Sequence, residues 1–175
     1  VDSENEEAFA KLTPSHRARF RFHLRPEWYA SNEANGNHLL QQFVSVHGDY
    51  DVYVQVYVTA VLLEGETVTS AVNALVADVA HDSVLLATEE TGFIWFRGAP
   101  VNYDPHTPGG LPRSQDICYV KETTGLYAVR RHVALVKGCR VGDRPLFHMV
   151  PRLQALDVDT IEDLALAERL FASRP

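Results

Sequence analysis

A one-domain α/β fold is the class this sequence predicts, on two main observations. Segments of strand character alternate with segments of helical apolar spacing along most of the 175 residues. A hydrophobic fraction of 46% is enough for a core in a chain of that length. Alternation of this kind predicts a layered fold with a largely parallel sheet, in which ligands sit beyond the carboxyl ends of the strands. The sequence shows no internal repeat and no low-complexity tract.

Residues 2–11, DSENEEAFAK, read as a short acidic helix start with Asp2 or Ser3 as its cap. RFRFHLR, Arg19 to Arg25, alternates basic and apolar residues and predicts a strand that Pro26 stops. His38 to Val46 has the apolar spacing of a helix. Tyr50 to Val58, YDVYVQVYV, is rich in β-branched and aromatic residues and follows a Gly48-Asp49 turn signal, giving the clearest strand. Gly65 to Asp78 predicts a helix with Val68, Val72, Leu75 and Val79 on one face, and Ser83 to Glu90 a buried strand. A Pro/Gly-rich arm follows at about residues 92–120. Its centre, 97–116, holds Pro100, Pro105, Pro108, Pro112, Gly98, Gly109 and Gly110, which no helix or central strand tolerates. GLYAVRR and PLFHMV read as strands. The last helix starts at Thr160, with Asp163 three residues on as a capping box and Ile161, Leu164, Ala167, Leu170 and Phe171 as its apolar stripe.

The formal net charge of −7 argues against a nucleic-acid partner. No apolar run reaches the roughly 20 residues of a membrane helix, and the acidic first stretch is not a signal peptide. Cys118 and Cys139 form no CxxC pair and read as reduced thiols of a cytoplasmic protein. The eight histidines show no zinc-binding spacing, and Walker A, GxGxxG and GxSxG motifs are absent.

One stretch asks for a cation. LQALDVDTIEDLALAERL carries Asp157 and Asp159 one residue apart, ahead of a helix. In extended backbone the two carboxylates point the same way and repel. They read either as a turn residue and a helix cap or as ligands of Mg²⁺, which is commonly held by one or two carboxylates plus substrate phosphates. Asn35-Gly36-Asn37 reads as a tight turn, and Arg113, Gln115 and Asp116 as polar residues of the arm.

Four segments, in order, resemble the cytidylyltransferases that activate acidic sugars, the CMP-sialic acid (acylneuraminate) and CMP-KDO synthetases. RPEWYASNEANGNHLL resembles the family's RP-x-x-L-A and Asn-Gly-Asn elements; YDVYVQVYVTAVLLEGETV resembles its strand into a Thr-Ala-Pro turn. RSQDICYVKETTGLYAVRR resembles its R-x-Q-D and E-T-G-G-L-Y block, and LQALDVDTIEDLALAE its terminal E-A-L-D-I-D-T-P-E-D block. The resemblance implies a three-layer Rossmann-like nucleotidyltransferase fold with a mostly parallel mixed sheet. It implies a reaction of CTP with a 2-keto-3-deoxy acidic sugar that gives CMP-sugar and pyrophosphate, in a cytoplasmic homodimer. Carried over, Asp157 and Asp159 become the catalytic Mg²⁺ ligands. Arg113, Gln115 and Tyr127 face the sugar, and Asn35, Gly36, Asn37 and Thr59 lie near the nucleotide. Val61 stands where the family has Pro, and Leu63 where many members have Arg. The family's opening Gly-rich, triphosphate-gripping segment has no counterpart before VDSENEEAF, so the 1–175 domain is expected to be N-terminally incomplete. The competing expectation is a non-catalytic relative that keeps the fold for dimerisation or sugar binding.

Overall fold

The computed structural model describes residues 1–173. A four-stranded sheet runs in the order β3 (Val52–Val56), β7 (Cys118–Arg130), β4 (Ser83–Thr91), β8 (Pro145–Met149). β7 is antiparallel to both β3 and β4, while β4 and β8 are parallel. Three strands therefore share one direction, and the reversed β7 lies between two of them. The sheet is mixed, as expected, but two of its three pairings are antiparallel.

Alternation along β7 sorts the core onto the two faces of the sheet. Leu126 and Ala128 join Val84, Leu86, Ala71, Leu75 and Val150 beneath α4 (Gly65–Ala77). Val129 joins Tyr53, Leu40, Val44, Val133 and Ala134 beneath α3 (Gly36–Val46) and α5 (Arg131–Val136). Burial of each large aliphatic side chain contributes about 1.5–3 kcal/mol, and Leu75, Val84, Leu86 and Leu126 are all fully buried.

The sequence expectations differ from the structure where local pattern lacks tertiary support. α1 (Glu6–Ala10) is capped by Asn5, not by Asp2 or Ser3, because Asp2–Ser3 form β1. RFRFHLR yields only a two-residue strand, β2 (His23–Leu24), since its pairing partner β1 is two residues long. That pair docks on α3 through His23, whose Nε2 bonds Gln42 Oε1 at 3.0 Å and whose Nδ1 meets His47 Nε2 at 3.2 Å. The arm holds a small hairpin, β5 (Trp95–Phe96) and β6 (Ala99–Pro100). α6 (Ile161–Ala172) has the expected capping box of Thr160 and Asp163. Of its apolar stripe only Ala167 is buried, and Ile161, Leu164 and Phe171 face solvent. Val79 lies beyond the end of α4 and is exposed.

The turn from α5 into β8 is clamped by a buried carboxylate. Asp82 accepts from the backbone N–H groups of Asp143 (3.0 Å) and Arg144 (3.1 Å) and from Ser83 Oγ (3.1 Å). Gly142 passes so close that a Cβ there would sit 2.2 Å from Asp82 Oδ1. Burial alone would raise the Asp82 pKa, but the hydrogen bonds from Arg144, Asp143 and Ser83 and the Arg144 charge offset it, so the net shift is downward. A depressed folded pKa gives stability that is complete above the unfolded value of 3.8 and is lost as pH falls through the folded one. Asp82→Ala is expected to cost about 1.5–3 kcal/mol at pH 7 in urea unfolding. The difference from the parent chain should shrink only below pH 4 or so; an unchanged midpoint at pH 7 would mean the clamp is dispensable.

Candidate active site

β7 changes its pairing where the candidate residues gather. Between the pairs Leu85↔Tyr127 and Ala87↔Glu122, β4 advances by two residues and β7 by five, which leaves three extra residues in β7. A bulge of this kind re-aims side chains. Thr124 on it donates its hydroxyl to Asp157 Oδ2. Gly125 O accepts from Tyr57 N at 3.1 Å, and a Cβ on Gly125 would come within 3.2 Å of Ala60 Cβ.

Asp157 reaches Thr124 from an irregular segment rather than a strand. The segment is fixed on both sides. Before it, buried Gln154 accepts from Thr67 Oγ1 of α4 at 2.6 Å. Within it, Val158 N donates to Thr59 O at 3.1 Å. Thr59 thus stands beside the Asp157 segment. Asp157 Oδ1 is buried without a hydrogen-bond partner. Asp159 differs: it is exposed, and only its backbone N–H is engaged, with Asp163 Oδ2 at 3.3 Å. Asp163, rather than Asp159, therefore caps α6 with Thr160. Hydrogen bonds from Thr160 hold the Asp163 carboxyl below its usual range.

The Asn-Gly-Asn turn is the start of α3. Asn35 Oδ1 caps it by accepting from Asn37 N (3.0 Å) and His38 N (3.2 Å). Asn37 Oδ1 accepts from Arg140 N at 3.0 Å, and Gly36 O from Gln55 Nε2 at 3.2 Å. Gly36 leaves room for two side-chain ends, since a Cβ there would lie 2.3 Å from Arg140 Nη1 and 2.6 Å from the Tyr57 hydroxyl. Arg140 is the site residue that sequence reasoning missed. Its guanidinium lies 3.8 Å from the Tyr127 ring centroid, and its Nη1 donates to the Tyr57 hydroxyl at 2.6 Å. It sits in a loop without periodicity, so no local pattern marks it.

Tyr127 is buried, with one face under Arg140 and its hydroxyl donating to Glu122. Desolvation and then the Glu122 contact push its pKa far above the usual tyrosine value. It is a wall of the site rather than an open lining residue. Arg113 and Gln115 do not join it. Arg113 precedes and Gln115 lies within the short 3₁₀ turn Ser114–Asp116 on the arm, where Arg113 pairs with Asp116 at 4.0 Å. With its amide oxygen turned inward, Gln115 accepts from Arg113 Nε at 3.1 Å. Cys118 pairs with Thr91 and Tyr127 with Leu85, six residues apart on β4, or about 20 Å of strand.

Oxygen chemistry dominates this end of the sheet. Gln55 Oε1, Thr123 Oγ1 and Asp157 Oδ1 are buried side-chain oxygens without a donor on the strands and segment that frame the bulge. An orphaned carboxylate oxygen suits a hard cation that takes few protein ligands. No cluster of three or more His, Cys, Asp or Glu residues of metal-binding geometry occurs among the described residues. Three surface grooves lie elsewhere: one of about 410 Å³ between α3 and α5, lined by Gln41, Val44, Ala134 and Gly138; one along α4; and one at Asp51 and Arg130–Val136.

Gly36→Ala should displace the flexible Arg140 side chain without unfolding α3. Alanine favours a helix over glycine by up to about 1 kcal/mol. We expect an unchanged or higher Tm together with a changed near-ultraviolet tyrosine signal. A Tm lowered by more than about 5 °C would mean that Arg140 cannot yield.

No family model matches this chain, and no curated protein matches it. Among solved structures, the chain is similar to a CMP:2-keto-3-deoxy-manno-octonic acid synthetase complexed with CTP. The TM-score is 0.50 at 17% identity, over 79% of this chain and 68% of that one. At that identity the likeness to that synthetase is one of fold.

Proposed function

We propose that this chain is the cytidylyltransferase its fold suggests, a three-layer Rossmann-like nucleotidyltransferase that joins CTP to an acidic 2-keto-3-deoxy sugar. A sugar hydroxyl oxygen attacks the α-phosphorus of CTP. The bond from that phosphorus to the bridging oxygen breaks, pyrophosphate leaves, and the hydroxyl proton is released. The observation that carries this reading is Asp157, held on the β7 bulge by Thr124 with Oδ1 buried and unpartnered. Asp157 would hold Mg²⁺, with Asp159 as the exposed second carboxylate. When bound, the ion would neutralise the triphosphate and stabilise charge on the leaving group.

The chain's own residues then position and exclude. Thr59 O fixes the backbone between the two aspartates. The capped Asn35-Gly36-Asn37 turn gives a rigid nucleotide wall, and Tyr127 closes the sugar side. Arg113 and Gln115, on the arm beyond the far end of β7 and about 20 Å from Tyr127 along the sheet, have a role only if the arm crosses to a second copy. A cytoplasmic homodimer is thus the form proposed. The exposed arm aromatics Phe93, Trp95 and Phe96 support it. No described helix is long and apolar enough to cross a membrane.

With CTP, Mg²⁺ and a 2-keto-3-deoxy acid, Asp157→Asn should lower pyrophosphate release at least 100-fold, in line with loss of transition-state charge stabilisation. Circular dichroism should show the fold intact. Turnover within threefold or so of the parent would refute the assignment.

Mixing Asp157→Asn with Arg113→Ala tests the arm. Each variant alone is expected to be inactive. Half of a random mixture is heterodimer with one intact site of two, so roughly a quarter of parental activity should return. No recovery after exchange would show that Arg113 does not act across the dimer.

A further inference from the structure

Arg140 differs from the other buried or half-buried arginines. Arg25 pairs with Asp2, and Arg130 spends its donors on the carbonyls of His81, Leu75 and Asp78. Arg140 is half-buried, and no carboxylate lies at ion-pair distance from it among the described residues. Its only side-chain hydrogen bond is from Nη1 to the Tyr57 hydroxyl. Glu122, the nearest acid around Tyr127, is taken up by the Tyr127 hydroxyl.

The group is nonetheless held firmly. Its guanidinium carbon lies over the Tyr127 ring, its backbone N–H is held by Asn37 Oδ1, and its loop by the Asp82 clamp at Asp143 and Arg144, three and four residues on. A guanidinium with spare donors, placed by its ring and its loop, binds an oxyanion through two parallel hydrogen bonds at reduced ordering cost. Removing a charge from water without a counter-charge is unfavourable, so the site is complete only when an anion arrives.

We propose that Arg140 is the oxyanion-binding residue of this site, receiving within its own chain either the sugar carboxylate or a CTP phosphate. This inference rests on the cytidylyltransferase reading and adds to it a residue that acts in cis, unlike Arg113. Gln55, whose Oε1 is buried without a donor and whose amide bonds Gly36, supplies an acceptor on the same wall.

Calorimetric titration of the parent chain, Arg140→Ala and Arg140→Lys with four probes in Mg²⁺ tests it. The probes are 2-keto-3-deoxy-manno-octonic acid, its methyl ester, CTP and cytidine. Arg140→Ala should weaken one charged probe by about ten- to a hundredfold and leave its uncharged counterpart unchanged. Arg140→Lys, which keeps the charge but not the planar fork, should restore less than half of the loss. Loss confined to the acid identifies the carboxylate, and loss confined to CTP identifies a phosphate. If Arg140→Ala does not fold, Arg140→Lys and Arg140→Gln are read in its place. Parental binding of all four probes by the variants, with CTP bound by the parent chain, would overturn the inference and leave the cytidylyltransferase reading standing. A parent chain that binds neither CTP nor the acid would overturn both.

Discussion

Every part of the candidate site depends on β7, the one strand that runs against the other three. Its last residues, Leu126, Tyr127, Ala128 and Val129, are fully buried, with Leu126 and Ala128 beneath α4 and Val129 beneath α3 and α5. Because β7 pairs with β3 and β4 together, its register fixes both neighbours. The buried faces leave no alternative, since a one-residue slip would exchange the α4 face for the α3 face. The bulge at Thr123–Gly125 is therefore held by the strength of the pairing on either side of it. It presents a hydroxyl to Asp157 at a position where a regular strand would have buried it or pointed it outward.

From that fixed point the chemistry follows by short steps. Thr124 orients Asp157, and Thr59 holds the backbone that carries it. Tyr57, tied to Gly125, supports the guanidinium of Arg140, and Tyr127 lies beneath it. Asp82 holds the loop from the opposite side of the sheet end. One carboxylate with a spare oxygen and one guanidinium with spare donors thus rest on nearby residues of the same strand, Thr124 and Tyr127. Such a pair suits a substrate that brings both phosphates and a carboxylate.

Much of this was legible in the sequence where local chemistry decides. The Thr160–Asp163 box and the strand within Tyr50–Val58 follow from local side-chain chemistry, whereas Asn-Gly-Asn, which reads as a tight turn, caps and opens α3 two residues before the expected start at His38. The pairing of Asp157 with Asp159 was legible as a motif, yet their different environments were not. Thr124, more than thirty residues away in sequence, decides which aspartate is drawn inward. The polar outer half of β7, CYVKETT, hid a strand because it projects with both faces largely exposed and carries no period-2 signal. Arg140 and Asp82 were invisible for the same reason: their meaning lies in partners brought from other elements. RFRFHLR shows the converse, a strong local alternation that becomes a strand only as far as β1 can pair with it.

The central claim is that Asp157, bonded to Thr124 of the β7 bulge, holds the ion that carries the triphosphate. Anomalous scattering from crystals soaked with Mn²⁺ and CTP tests it most directly. The account predicts a Mn²⁺ peak within bonding distance of an Asp157 carboxylate oxygen, bridged to CTP phosphate oxygens. CTP bound with its phosphates away from Asp157, or a Mn²⁺ peak on other residues alone, would contradict it.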